Sequence, residues 1–139
     1  MKRYWIMSLA FLGSGLAAGV YYREFTKALA FEGRTTLAFV HPHLIALGAF
    51  VFLLLFFLSK SYAPKKKRLF KAFEILYPLG LSWTAAMMLV RGTLQVLGTD
   101  LGKMDAMVSG IAGIGHIILA VGIVLLFVNA FYLEKKQAE

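Results

Sequence analysis

The chain contains no cysteine, which excludes disulfides, thiolate metal sites and thiol catalysis. It has three prolines and seven acidic residues in 139. It carries no HExxH, no glycine-rich phosphate loop, no Ser-His-Asp arrangement and no carboxylate cluster within its apolar runs, so hydrolytic chemistry has little to stand on. What it lacks most is polar sequence. The chain is 60% hydrophobic, with a mean hydropathy of +0.73, more apolar surface than a soluble domain of this length can bury. These values predict an integral membrane protein. The formal charge of +8 does not point to nucleic acid, because the basic residues flank the apolar runs, where a chain meets anionic headgroups.

Four apolar runs predict one domain over residues 1–139, an all-α bundle of four transmembrane helices at about 4–22, 36–58, 69–96 and 105–132. Each is long enough for a hydrocarbon core of about 30 Å. The first run has a loosely cleavage-like Gly15-Leu16-Ala17-Ala18, but its length favours a span over a signal peptide. Its small residues, Gly13 to Gly19, allow close helix approach. Pro42, near the start of the second run, either caps that helix or kinks it and frees the carbonyl of Ala38. Pro78 marks a kink in the third.

Short loops imply an up-down-up-down arrangement. Both termini and the middle loop then share a side with ten of the basic residues: Lys2, Arg3, Lys60, Lys65, Lys66, Lys67, Arg68, Lys71, Lys135 and Lys136. The other side holds Arg23, Lys27, Arg34, Arg91 and Lys103. This asymmetry predicts cytoplasmic termini in a bacterial plasma membrane. Glu74, near the basic side, reads as solvated or paired with Lys71, three residues away.

All three histidines lie in apolar runs, which raises a functional hypothesis. His43 falls about eight residues into the second helix, a rise of ~12 Å, and His116 about eleven into the fourth, ~16 Å. Both helices start on the same side, so the depths match. Helices two and four are diagonal in such a bundle, so the pair has the arrangement of two axial ligands for a heme b. Ser109, Ala112, Gly113 and Ala120 thin the face around His116 and leave room for a macrocycle or for a neighbouring helix. His41 is two residues from His43, about 200° away on an ideal helix. It is expected to serve as a hydrogen-bond donor, a second metal ligand or a quinone contact.

Arg91 lies in the third run on a stripe with Trp83, Met87 and Gln95. A guanidinium at that depth needs snorkelling or a partner: Glu24, Glu32, Asp105 or a heme propionate. The favoured reading is a heme-binding membrane protein engaged in electron transfer, with quinol or a redox protein as partner, or in heme handling. Two alternatives stand beside it. One is a metal-ion or proton-transport site using His41, His43, His116 and Asp105. The other is a non-catalytic assembly subunit with structural histidines. A homo-oligomer is compatible with each, and no catalytic residue is assigned.

The segments Tyr22-Arg23-Glu24-Phe25-Thr26-Lys27, Val40-His41-x-His43-Leu44-x3-Gly48-Ala49, Val90-Arg91-Gly92-x-Leu94-Gln95-Val96-Leu97-Gly98 and Ser109-Gly110-Ile111-Ala112-Gly113-x-Gly115-His116-Ile117-Ile118 together resemble a family of small, uncharacterised bacterial four-helix membrane proteins. The resemblance spans most of the chain and implies no activity. The His-x-His-Leu-x-x-x-Gly stretch is also similar to heme-ligating helices of the heme–copper oxidase subunit I superfamily, over one or two helices. That similarity implies His41 or His43, with His116, as heme ligands. It does not imply oxygen reduction, because three histidines cannot also supply the copper ligands and the active-site heme ligand.

Overall fold

The structure is a computed structural model that describes residues 2–135, with only the backbone at Lys135. Lys136 and the rest of the tail, counted above on the basic side, lie outside the described residues. Four helices dominate: α1 (Lys2–Ala28), α2 (Leu37–Ser61), α3 (Lys67–Val96) and α4 (Met104–Phe131). All four are long and apolar enough to cross a membrane, as a multi-pass protein requires. α1 runs past Tyr22, where its end was expected, to Ala28, and in that extension the Thr26 hydroxyl donates to the Tyr22 carbonyl (2.8 Å). The chain turns at Ala30, whose φ is +47°. Two short strands, β1 (Tyr62–Pro64) and β2 (Leu133–Lys135), pair antiparallel and clip the loop after α2 to the end of α4. They were not anticipated from sequence.

α2 is not a uniform helix. It is α-helical over Leu37–Pro42 and Val51–Ser61 and π-helical over His43–Phe50. Pro42 has no N–H to close a bond onto Ala38, and immediately beyond it the ladder widens to the five-residue spacing of a π-helix. The proline therefore acts inside the helix, not as a cap.

The helices pack α1 on α2, α2 on α3 and α3 on α4. Gly15 meets Leu44 and Ile45, while Phe11 meets Gly48. Gly80 lies on the backbone of Leu119, Gly115 on Trp83 and Thr84, and Gly122 on Tyr77. Leucine gains little by leaving lipid for another leucine, so such glycine contacts and side-chain hydrogen bonds carry the association. Ser8 Oγ donates to the Ala49 carbonyl (2.8 Å) and Tyr77 Oη to that of Leu47 (2.7 Å). Thr35 and Thr36 hydroxyls reach the carbonyls of Gly92 (2.9 Å) and Met88 (2.8 Å).

The main core joins all four helices: Tyr4 from α1, Phe52 and Leu55 from α2, Phe73, Tyr77 and Leu81 from α3, and Leu119 from α4. Phe52 stacks on Phe11 at 5.5 Å and meets Tyr77 edge-on at 5.9 Å. A smaller cluster of Ala18, Val40, Leu44 and Ala85 lies nearer the α2 start.

At the basic end the expectation for Glu74 is corrected. It faces α1, with its side chain 17% exposed, and pairs with Arg3, while the Tyr4 hydroxyl donates to the same oxygen. Lys71 is exposed, and among the described residues Glu74 pairs with Arg3 instead. In the clip, Lys65 pairs with Glu134 (2.9 Å), whose carboxylate holds the Lys65 amine above its ordinary range. That bond is present while the amine is charged and is lost as pH rises through the raised value. On so exposed a pair it contributes little.

A methyl group at Gly80 would strike the Leu119 backbone, whereas one at Gly113 would meet nothing within 4 Å. Gly80→Ala should therefore destabilise the protein by about 1–3 kcal/mol, and Gly113→Ala should be close to neutral. Thermal or SDS-titrated unfolding in detergent micelles checks this. Equal effects would contradict the packing described.

Candidate functional site

His41 and His43 flank Pro42 at the transition from α- to π-helix. His41 packs on α1: its Cβ and Cγ lie 3.6 and 3.7 Å from where a Cβ on Gly19 would stand. Its Nδ1 is buried without a hydrogen-bond partner among the described residues. His43 points elsewhere. Its Nδ1 lies 2.8 Å from the Phe39 carbonyl, one turn back. A carbonyl can only accept, so Nδ1 carries the proton, and in the neutral ring the lone pair sits on Nε2. The two rings thus occupy different surroundings, as their spacing implied.

His116 repeats the His43 arrangement. Its Nδ1 lies 3.0 Å from the Ala112 carbonyl, again one turn back, and its ring is exposed on α4. Its neighbours divide into two groups. Gly115 and Gly122 are spent on packing against α3, but a Cβ at Gly110 or Gly113 would meet open space. The thin face near His116 is therefore a helix interface at Gly115 and Gly122 and open at Gly110 and Gly113.

The two rings are related through the core. Leu47, one turn beyond His43, and Ile123, two turns beyond His116, both pack against the cluster that contains Tyr77, Leu81 and Leu119. His43 and His116 each precede, along their own helix, a residue that packs on this cluster, and both helices neighbour α3. α4 packs chiefly on α3. Neither ring is bonded to the other helix.

Arg91 has found its protein partner. Its Nη1 donates to Ser109 Oγ (2.7 Å) and its Nη2 to Asp105 Oδ1 (3.1 Å), tying α3 to the start of α4. Of the partners expected from sequence, Asp105 is the one in place. Two others of its stripe are also used: Trp83 Nε1 donates to the Ile111 carbonyl (3.1 Å), and Gln95 Oε1 accepts from the Thr36 N–H (2.8 Å). Among the described residues no three His, Asp or Glu side chains come together as a metal site would need. His41, His43, His116 and Asp105 are not assembled into one group.

Over residues 1–132 the chain matches the profile of a family described as a protein of unknown function, DUF2871. The chain belongs to DUF2871. No curated protein and no solved structure matches it. For this DUF2871 protein, then, chemistry rests on the side chains alone.

Several contributors escaped the sequence reading. Tyr77 and Ser8 fasten the π-helical stretch from two sides, at Leu47 and Ala49. Polar residues inside apolar runs were the available signal. Tyr77→Phe or Ser8→Ala should each cost about 0.6–1.7 kcal/mol, the range for interhelical hydrogen bonds in membranes, and the double variant should lose more than either alone. Denaturation in micelles measures it.

Proposed function

We propose that this protein is an up-down-up-down membrane bundle that binds heme b through His43 and His116. The observation that carries this reading is the matched state of the two rings. Each Nδ1–H is fixed by a carbonyl of its own helix, at 2.8 and 3.0 Å, leaving Nε2 as an unprotonated donor. Metal-ligating histidines characteristically have their second nitrogen held in this way, which sets the tautomer and the ring plane. His41 lacks the feature, since its Nδ1 has no partner among the described residues, and this favours His43 as the ligand from α2. Two further features support the fit: each ring precedes, along its own helix, a residue packed on the same core cluster, and Gly110 and Gly113 leave space beside His116.

His43 and His116 would hold the heme, which would supply a one-electron redox couple. The chain's own residues hold and orient the ligands. The Phe39 and Ala112 carbonyls fix the tautomers. Tyr77, bonded to the π-helical stretch at Leu47, keeps α2 in register with α3. Arg91, anchored by Asp105 and Ser109, keeps its Nε–H for a propionate. The activity that follows is electron transfer with a membrane quinol or a redox protein, or heme handling. The excess of cations at the end bearing the N-terminus supports placing both termini in the cytoplasm of a bacterial cell.

Protein purified from heme-replete cells should show a Soret band and, on reduction, the sharp α-band of a six-coordinate low-spin heme. His43→Ala and His116→Ala should each abolish the low-spin spectrum, and His41→Ala should keep it. A colourless preparation that also takes up no added hemin would overturn the proposal.

A further inference from the structure

At the basic end, far along α2 from the histidines, lies a cavity of about 410 Å³. It is bounded by the start of α1, the end of α2, the first turns of α3 and the β1 strand, and its walls are of two kinds. Leu55, Leu58 and Phe70 give it an apolar side. Arg3, Lys67 and Glu74 give it charges of both signs. Glu74 is held mostly out of solvent, and only one of its oxygens is used: Oε1 takes both Arg3 and the Tyr4 hydroxyl. Oε2 has no hydrogen-bond partner among the described residues, and it is not a fully enclosed atom. The Lys67 ammonium makes no ion pair among the described residues either. A half-used carboxylate and a free ammonium thus share one amphipathic cavity at the end of the apolar spans.

We propose that this cavity is a headgroup site for an aminophospholipid of the phosphatidylethanolamine type. The ligand's ammonium donates to Glu74 Oε2, and its phosphate lies between Lys67 and the remaining N–H groups of Arg3. Its acyl chains lie along Leu55 and Leu58. Charge complementarity selects this occupant. A phosphate alone suits the cations but leaves the Glu74 oxygen facing an anion. A neutral amphiphile leaves the Lys67 charge unmet. A head bearing both an ammonium and a phosphate answers both ends. The spacing agrees: seven residues separate Lys67 from Glu74, two turns of α3 and a rise of about 10 Å, a span such a head bridges with one hydrogen bond at each end. The site is independent of the heme reading, because it uses none of the same residues.

The test is native mass spectrometry of the full chain released from nanodiscs containing equal parts of phosphatidylethanolamine, phosphatidylglycerol and phosphatidylcholine. The wild-type protein should retain phosphatidylethanolamine about tenfold over phosphatidylcholine, the loss expected when one charge-assisted hydrogen bond is missing. Glu74→Gln should reduce that preference severalfold. Lys67→Ala should weaken retention of phosphatidylethanolamine and phosphatidylglycerol alike. The wild-type preference is read without any variant, so a variant that fails to fold does not block the test. Equal retention of the three lipids would overturn the proposal. So would a phosphatidylglycerol preference, which would mean surface charge alone, or a neutral amphiphile such as an isoprenoid quinone as the retained molecule.

Discussion

Everything in this chain depends on backbones coming close together. Helices surrounded by hydrocarbon gain little from exchanging lipid contacts for leucine contacts, so association rests on dispersion at short range and on hydrogen bonds. Gly80 is the sharpest instance, with the Leu119 backbone lying where its side chain would be. Gly115 and Gly122 extend the approach one turn to either side of Leu119, onto Thr84 and Tyr77. Gly92 does the same for α2 and α3 at Leu37. These contacts bring carbonyls within reach of short hydroxyls. The bonds from Thr35 and Thr36 to Gly92 and Met88 are available only because the helices are already close.

The same constraint accounts for the irregular part of α2. A π-helical stretch has poorer internal packing than an α-helix and persists where its surroundings hold it. Here Ser8 and Tyr77 bond the carbonyls of Ala49 and Leu47 from opposite neighbours, and Phe11 fills the space beside Gly48. Pro42 starts the irregularity and α1 and α3 stabilise it. Its consequence is positional, because it fixes how His43 is presented relative to the core layer below it.

Much of the fold was legible in the sequence, because length and apolarity alone define a span. The four apolar runs followed directly. The β1–β2 clip did not, since Tyr62-Ala63-Pro64 and Leu133-Glu134-Lys135 carry no strand signal and pair only because the ends of α2 and α4 are neighbours. Glu74 was misjudged for a related reason. Lys71 lies within reach on the same helix, but Arg3 and Tyr4 come from a helix seventy residues away in sequence. At the candidate site, the separation of His41 from His43 was readable from helical spacing, and so was Asp105 as one partner for Arg91. The π-helical stretch was not readable, because its register depends on Tyr77 and Ser8, which reach it from other helices.

A histidine whose Nδ1 reaches the carbonyl one turn back presents Nε2 outward, and any helix can do this at small cost. One such ring therefore says little. Two of them, on helices that neighbour α3 and each preceding a residue packed on the same core cluster, make a more demanding arrangement, because position along the helix and tautomer must both agree between separate elements. His41 supplies the internal comparison. It sits two residues from His43 in the same segment, yet it is packed on Gly19, and its Nδ1 has no partner among the described residues. What distinguishes them is that the His41 ring meets Gly19 of α1 while the His43 ring turns back onto its own helix at Phe39.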